Sequence, residues 1–298
     1  WSRNDGQWQL GPANYKIAAG TILLGDTTIH DSTYQLAHDA WQFPFRGETG
    51  FTIEGASHSI SRNAMTISGL GHKSAGSITR PDNDDPPAIQ IDLDTSAIQV
   101  TSGTLSAKDL TVRGKMSLVP GQNLAMTLAE GFDVSLRDMT IGETALDVAS
   151  LQLVQPQLLT ISSEEDAPVM LGAGQLRFQH TGLSHPEFRL EPGILELKLE
   201  ETALPTGAIT GIIHAGAPVV MAADTQWNMS EVEGRFILAA DTVKLEGELV
   251  LDNTASFISY DLTHDPGSNS GNLAFRSGDQ PVQPLAESLR TLGAPLPP

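Results

Sequence analysis

The sequence predicts an all-β fold, an elongated antiparallel sheet with at most one short helix near the C-terminus. Three observations predict it. Apolar residues alternate with polar ones at period two, turn residues cut that alternation about every 8–12 positions, and helical periodicity is scarce. Ile89, Ile91 and Leu93 alternate with Gln90, Asp92 and Asp94, and Val134 and Leu136 with Asp133, Ser135 and Arg137. Leu195, Leu197 and Leu199 alternate with Glu196, Lys198 and Glu200. Val243, Leu245, Leu249 and Leu251 alternate with Lys244, Glu246, Glu248 and Asp252. Successive side chains of a strand point to opposite faces, so each run carries aliphatic groups on one face and charge on the other. A sheet built this way is wet on one side and apolar on the other, as antiparallel sheets often are.

Taken in order, residues 1–79 read as an N-terminal β segment, and 80–87 (Arg80-Pro81-Asp82-Asn83-Asp84-Asp85-Pro86-Pro87) as a loop or linker. Residues 88–265 read as a uniform region in which short strand, small-residue turn and short strand recur, the pattern of a quasi-one-dimensional sheet. Residues 266–298 form a Gly/Pro-rich tail, where Leu285, Leu289 and Leu292 share one helical face between Pro284 and Gly293. Turns are expected at Pro120-Gly121, Glu130-Gly131, Pro192-Gly193, Leu251-Asp252-Asn253 and Asp265-Pro266-Gly267. Gly69-Leu70-Gly71 and Gly172-Ala173-Gly174 lack the third glycine of a phosphate loop and also read as turns.

Composition narrows the function classes. The 298 residues carry 17 Lys+Arg against 36 Asp+Glu, a net charge of −19, which repels phosphate backbones and argues against nucleic acid as a partner. With no cysteine there are no disulfides, thiolate metal sites or cysteine nucleophiles. No apolar run is long enough to span a bilayer as a helix. The chain opens at Trp1 without a leader-like segment, so it is expected to be a piece of a longer protein whose anchor lies outside it.

Catalytic patterns are missing too. There is neither a Gly-x-Ser-x-Gly elbow nor a phosphate-binding loop, so an enzyme, a cofactor and a metal are not expected. Three weaker features bear on chemistry. His180 and His185 could meet across a turn at Gly182, but solvent-facing loop histidines account for them better. Asp82, Asp84 and Asp85 open like a calcium loop but lack its glycine, and Leu93 stands where the closing acid belongs. Glu164, Glu165 and Asp166 read as a hairpin tip.

The leftover apolar face carries the functional expectation. Aromatics are only 5 % of the chain, so Leu, Ile, Val and Ala must supply whatever covers that face. A second sheet, a fold of the same sheet, or a ligand with an apolar body would each do so. A groove of branched aliphatic side chains suits acyl chains, and a strand of 5 or 6 residues is about 17–20 Å long, comparable with an extended lipid tail.

Several runs resemble a known family. Ile98-Gln99-Val100 through Ser102-Gly103-Thr104-Leu105-Ser106-Ala107-Lys108-Asp109-Leu110-Thr111-Val112, Phe132-Asp133-Val134-Ser135-Leu136-Arg137-Asp138-Met139-Thr140-Ile141, and Leu146-Asp147-Val148-Ala149-Ser150-Leu151-Gln152-Leu153 resemble the AsmA-like proteins of the Gram-negative envelope. The stretch from Gly234-Arg235-Phe236-Ile237-Leu238 to Gly247-Glu248-Leu249-Val250-Leu251-Asp252 resembles the YdbH type within that group, which also includes TamB and YhdP. The likeness covers roughly residues 88–280 and rests on texture, without a diagnostic motif. It implies a highly curved, taco-like β-groove in the periplasm, inner-membrane anchored in the intact protein, that conducts phospholipid between the two membranes. It also implies a small outer-membrane lipoprotein that adds a strand at a sheet edge. The expected lining is Ile89, Ile91, Leu93, Val134, Leu136, Leu195, Leu197, Leu199, Val243, Leu245, Leu249 and Leu251. Two other readings stand beside it: a surface or extracellular β-rich adhesion module in which the same residues form a packed core, and, further off, a polysaccharide-acting enzyme on a β-solenoid.

Overall fold

The computed structural model describes residues 2–4, 7–43, 47–80, 86–103, 105–121, 123–162, 169–185, 188–204, 209–216, 219–222, 225–238, 243–251, 257–265, 270–277 and 283–284. Beyond Gly216 side chains are described only at Val219, 233–237, Lys244 and 246–247. The expected helix over Leu285–Leu292 lies outside the described residues, as do Asp82, Asp84, Asp85 and the 164–166 acids. The fold is all-β and antiparallel, with no helix among the described residues, and none there long and apolar enough to cross a membrane.

Two compact units divide the chain, residues 1–142 with 155–167, and 143–154 with 168–298. Unit 1 holds a small sheet of β1 (Ser2–Asn4), β2 (Gln7–Leu10) and β5 (Trp41–Phe43). Its main sheet runs β3 (Ala13–Leu24), β4 (Thr27–His38), β6 (Gly47–Arg62), β7 (Met65–Arg80), β8 (Ala88–Ser102) and β9 (Leu105–Val119). The far edge of β9 is shared: Met116–Val119 pair with β10 (Asn123–Leu128), and Leu105–Arg113 with β11 (Asp133–Ile141). β10 in turn pairs with β13 (Gln157–Ser162). The described pairings leave β3 in one direction and do not return to it within the unit, so this sheet is open. β7 pairs with β8 throughout, so 80–87 connects neighbouring strands of one sheet, and the two units part elsewhere.

Unit 2 contains β12 (Thr144–Leu153), β14 (Val169–Leu171), β15 (Gly174–His180), β16 (Leu183–His185), β17 (Phe188–Leu190), β18 (Gly193–Leu199), β19 (Thr202–Leu204), β20 (Ile209–Gly216), β21 (Val219–Ala222), β22 (Thr225–Leu238), β23 (Val243–Leu251), β24 (Phe257–Asp265), β25 (Ser270–Ser277) and β26 (Gln283–Pro284). The register shows that many of these segments are pieces of longer strands. Val169↔Leu204, Gly174↔Leu199 and Leu183↔Leu190 belong to one unshifted register, so β14–β15–β16 and β17–β18–β19 are the two arms of a single long hairpin. β20 and β21 likewise continue one register against β18 and β17, and against β22.

Three sequence expectations are corrected here. Glu130-Gly131, Pro192-Gly193 and Gly172-Ala173-Gly174 do not reverse the chain; the strand line continues beyond each, with β10 and β11 both antiparallel to β9. Gly69 sits inside β7, not in a turn. His180 is not a solvent-facing loop residue: it ends strand β15, is 4 % exposed, and shares one strand line with His185, both β15 and β16 pairing with β12 in one register.

Candidate functional site

The candidate site is the apolar face of each unit, and burial along the strands defines it. In β8, Ile89, Ile91, Leu93, Thr95 and Ala97 are shielded while Gln90, Asp92, Asp94 and Ser96 are exposed. Cross-strand partners on one face are the packing unit of a sheet, and the register strings them into rows. One row is Phe51–Gly76–Ile91–Met116–Leu128–Gln157, and beside it runs Ile78–Ile89–Leu118–Met126–Leu159. A third is Ile53–Ser74–Leu93–Gly114. Val134 pairs with Val112 at the end of Tyr34–Gly55–His72–Thr95–Val112. Leu136 is also half-buried, between Ser135 and the exposed Arg137.

In unit 2, Leu197 lies between Leu176 and Ile213, and Leu195 between Phe178 and Ala215, all shielded. The backbone register extends these rows: Leu195 through Ala215 and Val232 to Leu249, and Leu199 through Gly211 and Phe236 to Leu245. Val243 opposes Leu238, and Leu251 opposes Met229 beyond a register shift. The side chains of Val243, Leu245, Leu249 and Leu251 lie outside the described residues.

Sequence reasoning missed the rows' other members: Phe51, Ile53, Ile78, Met116, Leu118 and Met126 in unit 1, and Leu151, Leu153, Leu176 and Ile213 in unit 2. Their alternation is interrupted by glycine, serine or histidine at shielded positions, which hides the period.

The glycines have a specific task. Tyr34, Phe51, Phe132 and Phe236 each lie over a cross-strand glycine: Gly55, Gly76, Gly114 and Gly211 respectively. A Cβ at Gly211 would stand 2.7 Å from Phe236 Cζ and would also collide with the Lys198 carbonyl. The rings therefore cover backbone that these glycines leave bare. Among the described residues only Ala97, Ala107, Leu146, Ala149, Leu153, Leu171, Ala215 and Phe236 are buried apolar residues, and no large side chain is completely buried.

A crease crosses each sheet. Shielded positions along a strand should be two apart, yet burial gives one step of three at Ala19/Ile22, Ala97/Val100, Ala107/Leu110 and Leu136/Met139, and the register carries the same step across the strands between them, at Ile29/Ser32, Ser57/Ile60 and Ile67/Leu70. Each strand carries one extra residue at the same level, so neighbouring strands keep register on both sides of it. Pairing lapses along the line Gly20–Asp31–His58–Gly69–Ile98–Asp109. Between β9 and β11 the register shifts around Arg137. Asp31, Gly69, Asp109 and Asp138 adopt left-handed conformations there, with φ of 47°, 62°, 49° and 44°. Aspartate tolerates this region better than most L-residues, and glycine best. Extra residues of this kind bend a strand and sharpen its twist, and a line of them folds the sheet. Small side chains occupy the shielded side of the crease, with Ser32, Ser57, Ala97 and Ala107 at most 3 % exposed.

Unit 2 has the same three-residue step at Leu146/Ala149, His180/Leu183 and Leu190/Gly193. There the strands break, at Thr181-Gly182 and Glu191-Pro192. Hydrogen bonds span the gap: Thr181 N–H donates to the Val148 carbonyl (3.1 Å) and Glu191 N–H to that of Val219 (2.9 Å).

Polar groups are unevenly placed. On the shielded face of unit 1 the Tyr34 and Ser57 hydroxyls share a hydrogen bond (3.0 Å), and His72 Nδ1 bonds Thr95 Oγ1 (2.8 Å). Burial lowers the pKa of His72, opposed by the nearby Asp94 carboxylate. In unit 2, His180 is 4 % exposed and stacks on Phe178 (5.9 Å between centroids), and burial lowers its pKa. The outer faces carry exposed ion pairs, among them Lys73–Glu54 (3.3 Å) and Arg113–Asp94 (3.0 Å). Such pairs contribute on the order of 0–1 kcal/mol each and serve mainly to keep that face hydrated. No cluster of three metal-ligating side chains occurs among the described residues.

Compared with known proteins, the chain matches no family model, no curated protein and no solved structure.

Proposed function

We propose that this protein is a lipid-conducting β-groove of the periplasm, a segment of a bridge that carries phospholipid acyl chains between the inner and outer membranes. The observation that carries the reading is the thin cover on the apolar faces. Rows of Leu, Ile, Met and Val run across several strands, yet no large side chain among the described residues is completely buried. Large apolar surface left in this state on a water-borne protein marks a binding surface. Aromatic-on-glycine packing covers the floor of such a groove. Transport on this account is passive: acyl chains slide along the rows while headgroups stay in water. The residues take no chemical step, so the reading includes no enzyme activity and no cofactor. Addition of a strand at a sheet edge by a small outer-membrane lipoprotein belongs to the same reading, on the resemblance to AsmA-like proteins.

One observation favours the adhesion module with a packed core. The shielded face of unit 1 includes Ser32, His38, Thr49, Ser57 and Ser74, all at most 8 % exposed, which is more polar than an acyl path requires.

The test is a pair of substitutions on opposite faces of β18. Leu197→Glu places a charge in the lining, and Ile194→Glu places one at a position 48 % exposed. A groove predicts that Leu197→Glu folds normally by circular dichroism but loses most co-purifying or transferred phospholipid, while Ile194→Glu keeps it. A packed core predicts that Leu197→Glu unfolds and that neither wild type nor Ile194→Glu carries lipid.

A further inference from the structure

We infer that the crease of unit 1 is a hinge, about which a short leaf and a long leaf of the sheet change their mutual angle. The short leaf comprises 21–24, 27–30, 59–62, 65–68, 99–102, 105–108 and 139–141; the long leaf is the remainder of the same strands beyond the crease. Four features of the line make it the place where the sheet yields.

The cross-strand pairing that stiffens the sheet elsewhere lapses at successive strand pairs: Gly20 with Asp31, Asp31 with His58, His58 with Gly69, Gly69 with Ile98, and Ile98 with Asp109. The extra residue in each strand is set between stretches whose register is the same on both sides, so the leaves can rotate without any strand slipping past its neighbour. Left-handed residues on β4, β7, β9 and β11 absorb the bend, and large φ/ψ changes at a few positions are how hinges work. The most buried positions on the shielded side of the line are small, Ser32, Ser57, Ala97 and Ala107, while the larger Ile22, Ile29, Ile60, Ile67 and Val100 beside them are only half-buried. On the opposite face Ile98, 68 % exposed, arches over Gly69, where a Cβ would stand 2.5 Å from its Cδ1. Opening and closing would therefore slide Ile98 across bare backbone.

The hinge goes beyond the groove reading and rests on it only for what biases the angle: acyl chains on the shielded rows would hold the leaves at one separation. Unit 2 places Pro192 and strand breaks at its own crease, so the inference concerns unit 1 alone.

The absence of cysteine makes the experiment clean, because two introduced cysteines are the only thiols for spin labels. Thr52→Cys with Arg62→Cys puts exposed labels on β6 either side of the crease, about 33 Å apart if the strand were straight. Glu48→Cys with Ser96→Cys puts both on the long leaf, about 28 Å apart. Distances are measured by pulsed electron spin resonance on the full chain, alone and after incubation with vesicles of phosphatidylethanolamine and phosphatidylglycerol. The hinge predicts a cross-crease distribution at least twice as broad as the control without lipid. Equal widths in the two pairs overturn the hinge, whether or not lipid is bound. Narrowing of the cross-crease pair alone with lipid supports both hinge and groove. A broad cross-crease distribution that vesicles leave unchanged, with no lipid retained by native mass spectrometry, supports the hinge and overturns the groove.

Discussion

The two units solve one geometric problem with different residues. In unit 1 the strands run unbroken through the crease, and Asp31, Gly69, Asp109 and Asp138 take up the bend in left-handed conformations. In unit 2 β12 runs through unbroken, but the two arms of the long hairpin stop at Thr181-Gly182 and Glu191-Pro192 and resume beyond. Proline has no N–H to give the ladder and a fixed φ, so a strand meeting it breaks instead of bulging. The shielded faces differ as well. Unit 1 carries a polar band of Tyr34, Ser57, His72 and Thr95 beside its crease, whereas the described rows of unit 2 are apolar apart from His180. A sheet can therefore be folded by residues that tolerate an unusual conformation, as Gly182 at φ 120° also does in unit 2, or by a proline that forbids the ordinary one. The first choice leaves an adjustable joint and the second a set bend.

The largest effect expected from breaking this comparison is at the glycine floor. Gly211→Ala should destabilise unit 2 by about 1–3 kcal/mol, because the new methyl meets the Lys198 carbonyl and the Phe236 ring. Gly20→Ala, where nothing lies within 4 Å, should be neutral or stabilise by about 0.4–1 kcal/mol. Denaturant melts of both variants read the difference, and an equal response would remove the packing role assigned to the aromatics that cover glycine.

The next effect is at the crease of unit 1. Asp109→Val should cost about 1–2 kcal/mol, since a β-branched residue resists φ of 49°, while Asp109→Gly should cost little. If Asp109→Val were harmless, the left-handed residues would not be what bends the sheet.

The smallest effect sharpens the contrast through pH. Burial lowers the His180 pKa below its ordinary 6.5, so the unfolded chain binds a proton more readily than the folded one. His180 therefore contributes no pH dependence well above 6.5, and stability falls as pH drops through 6.5 towards the lowered folded value. His180→Leu should flatten that slope in melts between pH 7 and pH 5, leaving what His72 contributes in unit 1.

Much of this was legible in the sequence, and what was hidden has a physical cause. Period-two runs such as Ile89–Leu93 and Leu195–Leu199 predict strands and their shielded faces, and both occupy those positions. The crease was not seen because it violates the very period used to find strands. Lys108-Asp109-Leu110 and Arg137-Asp138-Met139 were noted only as texture, yet both mark the extra residue, as does His30-Asp31-Ser32. Glycine and proline misled in the same way. They signal a departure from regular strand, and sequence alone does not say whether the chain turns back, as at Pro120-Gly121, or merely bends and goes on, as at Glu130-Gly131, Gly182 and Pro192. Only the pairing on either side of the gaps separates the two.

The most direct test of the central claim is site-specific photocrosslinking to phospholipid in a Gram-negative host. A photoreactive residue replaces Leu197 or Ile91 on the shielded faces, or Ile194 or Ile98 on the outer ones, the latter 48 % and 68 % exposed. An open acyl path predicts phospholipid adducts at Leu197 and Ile91 and none at Ile194 or Ile98. Adducts at the outer positions alone, or none at any position in a folded protein, would contradict it.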